Sequence, residues 1–320
     1  MMTICETDSR LLNAPFDAAK IAESHSQLVG ILAGFAFVGM TMMLGPERFS
    51  VRKIRTLALL WAAFVILAMD SFLFGVTSGG KDIPRTWDIF LISCALLGVG
   101  AVAVAGGGAW LFGAQTVAKP GRTRKTDGED ARAAQDHALL GKVSRGTVWT
   151  TALVVAVFNG ATGLAYLNAR NALHPWPLSV VVAYPTAIIA AITIELSIRR
   201  RRSQRLGADP IPPRLNPAPT FEILSAISYA GAAAIAAGYV INIEPPLSNI
   251  LALSTFLASI PSIVALIHST PLPQIARSSA TATPPSVAQR TRKQIFPHSE
   301  EIFAIGVVFA IATYIIKRRQ

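Results

Sequence analysis

The stretch that decides the fold is residues 54–76, IRTLALLWAAFVILAMDSFLFGV, in which only Arg55 and Asp70 carry a charge. As an α-helix it is roughly 35 Å long, enough to cross the hydrocarbon core of a bilayer, which is about 30 Å thick. A helix of this length on the surface of a soluble protein needs a polar face, and the few polar residues here do not form one. The stretch therefore predicts a transmembrane helix.

Segments of the same kind recur along the chain on both sides of this stretch. A spanning helix needs about 20 mostly apolar residues. Eight segments meet or approach this length: 26–44, 54–76, 89–114, 148–168, 178–198, 221–242, 247–268 and, as a marginal case, 300–316. We therefore predict an all-α fold, a polytopic transmembrane helix bundle with eight spans, of which seven are clear and one is marginal.

The composition also indicates a membrane protein. Hydrophobic residues make up 52% of the 320 residues and charged residues 15%, against about 25% charged residues in a typical globular chain. The charges are crowded into the connections, because hydrocarbon solvates neither charges nor unpaired backbone groups. A soluble protein is excluded, and we expect an integral membrane protein that has the lipid bilayer as its surroundings.

The basic residues predict the orientation of the chain. The connections that follow the first, third, fifth and seventh spans hold 21 of the 29 Lys and Arg residues. Because basic loops stay in the cytoplasm, the polar N-terminal tail, 1–25, is expected outside. The net charge of +11 is then an orientation signal, and no nucleic acid is expected as a partner.

Two regions near the C-terminus differ from the bundle at 26–268. Residues 269–299 are rich in Pro, Ser, Thr and Ala. They predict a flexible cytoplasmic linker, because such a sequence cannot bury enough apolar surface to offset its ordering entropy. Residues 300–320 predict a last transmembrane helix with a basic end. Its three charges, Lys317, Arg318 and Arg319, would lie outside, against the orientation rule.

Asp70 is the candidate functional residue. It lies about six residues, or roughly 9 Å, from the predicted outer end of its span. A carboxyl group in hydrocarbon costs on the order of 3 kcal/mol, so it is expected to face other helices or a wet cavity as a proton carrier, cation ligand or general acid. The alternative is a structural hydrogen bond to a neighbour. Similar depth groups Asp70 with Asn159, Thr162 and Tyr184 in one predicted polar pocket that opens outward.

Glycines and prolines are expected to interrupt three of the spans. Glycine weakens a helix by about 1 kcal/mol relative to alanine, and proline removes a backbone hydrogen bond. Broken helices can mark the substrate site of a transporter, whereas close helix packing is the other explanation for the glycines. The residues are Gly106, Gly107 and Gly108 in the third span, Pro185 in the fifth and Pro261 in the seventh.

A basic run follows the fifth span. It is dense enough to attract anionic lipid headgroups at the cytoplasmic surface, at about 1 kcal/mol per residue, although an orientation signal explains it without a further partner. Glu195 lies one turn before this run and is expected to pair with its first arginine. The run consists of Arg199, Arg200, Arg201 and Arg202.

Motifs for cofactor binding and catalysis are missing from the sequence. The five histidines show no HExxH or paired spacing, and Cys5 and Cys94 form no CxxC, so no metal site is expected. The glycines at 106–108 are not followed by Gly-Lys-Ser/Thr and no GxSxG is present, which excludes a P-loop and a nucleophile elbow. No cofactor is expected.

Three classes of function remain open. The scarcity of buried charge favours a non-enzymatic structural, sensory or accessory subunit, with a membrane-protein partner or a second copy of the chain. The alternatives are a small-solute or proton-coupled transporter that uses Asp70, and an intramembrane enzyme on a lipid or isoprenoid substrate with Asp70 as acid. The segment HSQLVGILAGFAF at 25–37 resembles bacterial multi-pass membrane proteins, which implies a bacterial plasma membrane and no particular activity.

Overall fold

The computed structural model describes residues 18–44, 51–80, 83–115, 127–170, 175–205, 219–242 and 249–268. All of them belong to one compact unit, Met1–Pro273. Within these ranges the chain is helical apart from a few turn residues, and no strand occurs. The helices are α1 (Ala18–Met43), α2 (Val51–Ser78), α3 (Ile83–Gln115), α4 (Asp127–Ala169), α5 (Pro175–Arg205), α6 (Pro219–Asn242), α7 (Asn249–Leu257) and α8 (Ser259–His268).

Seven spans in the described residues are long and apolar enough to cross a membrane. Each overlaps one of the first seven predicted segments, so the prediction of an all-α transmembrane bundle is confirmed. The first helix begins at Ala18, inside the predicted tail. The remainder of that tail, the predicted linker 269–299 and the predicted last helix 300–320 lie outside the described residues. The spans are Ala18–Met43, Lys53–Ser78, Pro84–Leu111, Val143–Ala169, Val181–Ile198, Glu222–Asn242 and Ile250–His268.

The helices α1 to α5 pack in sequence, each antiparallel to the one before it, whereas α6 packs against α2, α3 and α8. The Ser26 hydroxyl near the start of α1 donates to the Ser71 carbonyl near the end of α2. The Ser71 hydroxyl in turn donates to the Ser26 carbonyl, and both distances are 3.0 Å. Tyr166 near the end of α4 likewise contacts Asp88 near the start of α3. The bundle therefore has a first end, where α1, α3, α5 and α7 begin, and a second end, where α2, α4 and α6 begin and α8 ends.

The third span, on α3, lies at the centre of the bundle, with 78% of its most apolar stretch buried. Two glycines on α3 let α2 approach closely. A Cβ atom at Gly100 would lie 2.6 Å from Leu67 Cδ2, and one at Gly107 would lie 2.8 Å from Leu60 Cδ2. The two glycines are seven residues apart on α3 and the two leucines are seven residues apart on α2, so the same contact repeats after two turns. Small residues of this kind are a common basis for helix packing in membranes.

The predicted interruption at Gly106, Gly107 and Gly108 is wrong, because α3 continues as an α-helix through all three. Unbonded backbone groups in a membrane cost several kcal/mol each, which exceeds the helix penalty of about 1 kcal/mol per glycine. α5 also continues through Pro185. The ring of Pro185 packs against Gly160 on α4, and the loss of one backbone hydrogen bond does not end the helix.

The seventh span is interrupted. α7 ends at Leu257 and α8 begins at Ser259, with a turn at Ala258 between them. Pro261 explains this position, because proline offers no N–H to the carbonyl four residues earlier, which belongs to Leu257, and its ring clashes with that carbonyl. The Ser259 hydroxyl donates to the Phe256 carbonyl at 2.8 Å, which adds a hydrogen bond at the break.

Large apolar side chains cover the outside of the bundle. Ile235 is 76% exposed, Phe72 68% and Phe35 66%. Water would penalise a surface of this kind, whereas lipid tails accept it. Carboxyl, amide and hydroxyl groups lie in the interior, among them Asp70 and Asn159. Apolar groups outside and polar groups inside fit a protein surrounded by lipid.

Candidate functional site: a buried polar cluster around Asp70

Asp70 lies on α2, eight residues before that helix ends at Ser78, or roughly 12 Å along its axis. Asp70 is farther from the helix end than expected from the sequence, because α2 extends two residues beyond the predicted span, which ends at residue 76. Its side chain is fully buried. Neither carboxyl oxygen has a hydrogen-bond partner, and no basic side chain pairs with the group, within the part of the chain that the structure describes. Buried polar groups rarely lack such partners.

α3 places two side chains against Asp70. The Ser93 hydroxyl lies beside the carboxyl group, but the two do not meet in hydrogen-bond geometry, and Ser93 Oγ has no other partner among the described residues. Cys94 interacts electrostatically with Asp70 and contacts the hydroxyl of Thr162 on α4. Ser93 and Cys94 are both fully buried. Thr162 is therefore connected to Asp70 through Cys94.

A chain of hydrogen bonds joins α4, α5 and α8. The Asn159 amide donates to the Tyr184 hydroxyl at 2.7 Å, and the Tyr184 hydroxyl lies 3.0 Å from Ser259 Oγ. The Tyr184 ring stacks on Phe256 with 4.4 Å between centroids. Gly98 on α3 leaves room for the amide, because a Cβ atom there would lie 2.9 Å from Asn159 Nδ2. The break in the seventh span places Ser259 at the start of α8, where it completes this chain.

α6 contributes a tyrosine that the sequence analysis did not identify. Tyr229 is buried, and its hydroxyl has no hydrogen-bond partner among the described residues. It nevertheless lies close enough to Asp70, Tyr184 and Ser259 to interact with each. The sequence did hold a signal, because Tyr229 is the one aromatic residue with a polar atom in the small-residue stretch 226–237, AISYAGAAAIAA.

These side chains form what we call the Asp70 cluster. Six of the seven spans contribute to it. The structure brings Asn159 and Tyr184 into direct contact, and it connects Asp70 with Thr162 through Cys94. The cluster holds all four residues of the predicted pocket and four that the sequence analysis missed. Its members are Asp70 on α2, Ser93 and Cys94 on α3, Asn159 and Thr162 on α4, Tyr184 on α5, Tyr229 on α6 and Ser259 on α8.

The chemistry open to this cluster is set by its oxygen atoms. A carboxyl group can bind or release a proton, and hydroxyl groups both donate and accept hydrogen bonds. Three or more His, Cys, Asp or Glu side chains that could hold a metal ion do not come together anywhere in the described residues. Proton exchange, or binding of a ligand through hydrogen bonds, is the chemistry that these groups allow.

A second buried carboxyl group lies toward the first end. Asp88 on α3 is fully buried, and the Tyr166 hydroxyl on α4 donates to its Oδ1 at 2.9 Å. Arg170, one turn after Tyr166, also interacts with that hydroxyl. The predicted third span begins at residue 89 and does not include Asp88. α3 begins at Ile83 and so carries Asp88 into the interior.

The basic run predicted to contact lipid headgroups lies in the last turns of α5, which ends at Arg205. The side chains of Arg199, Arg200, Arg201 and Arg202 are outside the described part of the chain, and the expected pairing of Glu195 with Arg199 depends on one of them. Glu195 does bond to another residue, since its Oε2 lies 2.6 Å from Nδ1 of His268 at the end of α8. This contact joins α5 to α8 at the second end.

No protein family model, curated protein or solved structure matches this chain. A function can therefore be argued only from the geometry of the bundle and of the Asp70 cluster.

Proposed function

We propose that this protein is a proton-coupled membrane transporter in which Asp70 carries the proton. The observation that supports this most strongly is that the Asp70 carboxyl is fully buried and that neither of its oxygens has a hydrogen-bond partner among the described residues. Ionisable groups inside a membrane mark proton relays and ion pathways more often than they serve packing. A proton carrier must change its charge state, and a carboxyl group without a fixed partner can do so.

A purely structural role for Asp70 has less support. If the carboxyl held helices together, it would form a hydrogen bond to a neighbouring helix, as polar side chains in membrane bundles do. Leaving a buried polar group unsatisfied costs about 1–3 kcal/mol, and a carboxyl group at this depth adds on the order of 3 kcal/mol. An apolar residue would avoid both costs. A function that uses the carboxyl offers a reason for its presence.

Two hydroxyl groups near Asp70 are compatible with both the protonated and the ionised form of its carboxyl. The Ser93 hydroxyl lies beside the Asp70 carboxyl, and the Tyr229 hydroxyl is near enough to interact with it electrostatically. A hydroxyl can donate to a carboxylate or accept from a protonated carboxyl. The interrupted seventh span lies against the same cluster through Ser259. Discontinuous helices next to a buried charged group are a recurrent feature of secondary transporters. These contacts support a site where protonation changes the local hydrogen bonding.

The location and orientation form part of the proposal. We infer that the protein lies in a bacterial plasma membrane with its first end outside and its second end in the cytoplasm. The distribution of Lys and Arg among the connections supports this orientation. Anionic headgroups near Arg199, Arg200, Arg201 and Arg202 are the proposed lipid contact at the cytoplasmic surface.

The test is proton flux in reconstituted liposomes. Protein is reconstituted into liposomes that contain a pH-sensitive dye, and a potassium diffusion potential drives protons inward. We expect a flux above that of protein-free liposomes, and we expect Asp70→Asn to lower it at least about tenfold, because the amide cannot exchange a proton. Asp70→Glu should retain part of the flux. Ser71→Ala is the matched control, because Ser71 is adjacent but bonds to α1.

Two results would contradict the transporter proposal. One is a wild-type flux no greater than that of protein-free liposomes. The other is an undiminished flux in an Asp70→Asn variant that keeps the wild-type melting temperature. Either result would leave the structural, sensory or accessory role that the sequence analysis favoured as the better explanation.

A further inference from the structure

A row of polar side chains runs from the Asp70 cluster to the first end of the bundle. Four such residues recur on α4 at intervals of three and four, so they lie on one face of that helix. Two of them contact polar groups of α3, where one hydroxyl meets Cys94 and another donates to Asp88 at 2.9 Å. The four residues are Asn159, Thr162, Tyr166 and Arg170.

A second row runs from the cluster toward the second end, along α6 and α8. The Ser225 and Ser262 hydroxyls are 3.1 Å apart, and the Ser262 hydroxyl also reaches the Ser225 carbonyl at 3.2 Å. Ser262 follows Ser259 by three residues on α8. On α6, Glu222, Ser225 and Tyr229 recur at intervals of three and four, and so share one face. This row begins at the two cluster residues Tyr229 and Ser259.

Glu222 ends the second row with a carboxyl group. It lies in the first turn of α6, and its Oε2 is buried without a hydrogen-bond partner among the described residues. Asp88 on α3 holds the corresponding position beside the first row, where its carboxyl accepts a hydrogen bond from the Tyr166 hydroxyl. A carboxyl group with a buried oxygen therefore lies toward each end of the bundle, and Asp70 lies between them.

The combined length of the two rows matches the thickness of a membrane. Arg170 is eleven residues after Asn159 on α4, and Tyr229 is seven residues after Glu222 on α6. At 1.5 Å per residue, the two rows together span roughly 27 Å. The hydrocarbon core of a bilayer is about 30 Å thick, so polar side chains are available over almost its whole depth.

We infer that a single proton route crosses the bundle through Asp70, with Asp88 as the exchanging group toward the first end and Glu222 as the exchanging group toward the second end. This inference rests on the proposed role of Asp70 and adds the groups that load and unload it. At each transfer one O–H bond breaks on the donor and one forms on the acceptor. No electrons are exchanged and no co-reactant is consumed.

Other titratable groups face the three carboxyls. Cys94 and Tyr229 interact with Asp70. Tyr166, which itself interacts with Arg170, bonds to Asp88. At the second end, the helices that pack against α6 carry Lys53 and Arg55 on α2 and His268 on α8, and His268 pairs with Glu195.

The test measures proton flux in liposomes for variants at the two ends of the route. Asp88→Asn and Glu222→Gln remove the exchanging proton and keep the size of each side chain, so each should lower the flux at least about tenfold. Tyr166→Phe and Ser262→Ala remove one hydroxyl from each row and should also lower it. Glu23→Gln is the matched control, because Glu23 is exposed on α1 and should leave the flux unchanged. The melting temperature in detergent verifies the fold of every variant.

The result distinguishes this inference from the proposed function. If Asp70→Asn abolishes the flux while folded Asp88→Asn or Glu222→Gln keeps the wild-type value, the route is wrong and the transporter proposal stands. If Tyr166→Phe and Ser262→Ala both keep the wild-type flux, the rows of hydroxyls do not carry protons and the route is again wrong. If Asp70→Asn keeps the flux, both proposals fail.

Discussion

Tyr184 shows how a single hydroxyl organises the interior of this bundle. It accepts a hydrogen bond from the Asn159 amide and lies at bonding distance from Ser259, and its ring stacks on Phe256. One side chain thus connects three helices in the same layer as the Asp70 carboxyl. Because each of these groups is buried, the removal of the hydroxyl leaves its partners with no access to water.

We predict that Tyr184→Phe destabilises the protein. The substitution keeps the ring but leaves the Asn159 amide without its acceptor, at a cost of about 1–3 kcal/mol. Thermal unfolding in detergent should show a lower melting temperature. Tyr239→Phe is the control, because Tyr239 lies on the exposed surface of α6, 49% exposed, and its change should stay within about 0.5 kcal/mol. Equal effects of the two substitutions would contradict the role assigned to this hydrogen bond.

At the scale of the elements, close contact between α2 and α3 depends on individual glycines. Gly107 faces Leu60, whereas Gly106 and Gly108 have no atom within 4 Å of the position that a Cβ would take. Three consecutive glycines therefore differ in their roles, and only the middle one is at the helix contact. Packing against a neighbouring helix explains Gly107, and nothing in the structure explains why its two neighbours are glycine.

We predict opposite effects for alanine at two adjacent positions. Gly107→Ala should destabilise the protein by about 1–3 kcal/mol, because the new methyl group would overlap with Leu60. Gly108→Ala should have no such cost and should stabilise the helix by up to about 1 kcal/mol. Melting temperatures of the two variants test this directly, and Leu60→Ala should relieve the effect of Gly107→Ala. Destabilisation of the same size at both positions would refute the proposed contact.

The interruption of the seventh span is also decided within one element. Pro261 deprives the Leu257 carbonyl of its helical partner, and α7 ends at that residue. The same residue type at position 185 leaves α5 continuous. The sequence identified both prolines as possible interruptions but could not separate them, because the outcome depends on whether neighbouring helices hold the backbone in place.

At the scale of the whole molecule, the two ends of the bundle differ in charge. The connections at the second end are basic, whereas those at the first end carry few Lys and Arg residues. This difference is the basis for the inferred orientation, since basic loops are retained in the cytoplasm. The orientation in turn decides from which side each row of polar side chains would take up protons.

We predict that positions 81 and 202 lie on opposite sides of the membrane. Single cysteines at these positions, Lys81→Cys and Arg202→Cys, are made in a Cys5→Ser background in which Cys94 is buried. A membrane-impermeant maleimide applied to intact cells should label position 81 and should label position 202 only after the cells are opened. Labelling of both positions from the same side would refute the proposed orientation.

The candidate site could be predicted in part from residue type and depth. Asp70 was identified because a charge inside an apolar segment is costly, and Asn159 and Tyr184 were grouped with it by depth. Tyr229 and Ser259 were missed, because single hydroxyl groups are common in transmembrane helices and their depth does not show which way they face. Asp88 lies outside the predicted third span, because that span begins six residues after the observed start of α3 at Ile83.

The number of clear spans and the all-helical fold followed from the sequence alone, because the transfer of a segment into lipid depends mainly on that segment's own residues. The tertiary structure alone decided that neither Asp70 oxygen has a hydrogen-bond partner among the described residues, that Tyr184 bonds to Asn159, and that Glu222 Oε2 is buried. Each of these facts depends on how far a helix is rotated about its axis. That rotation is set by contacts such as Gly107 with Leu60, between residues far apart in the chain.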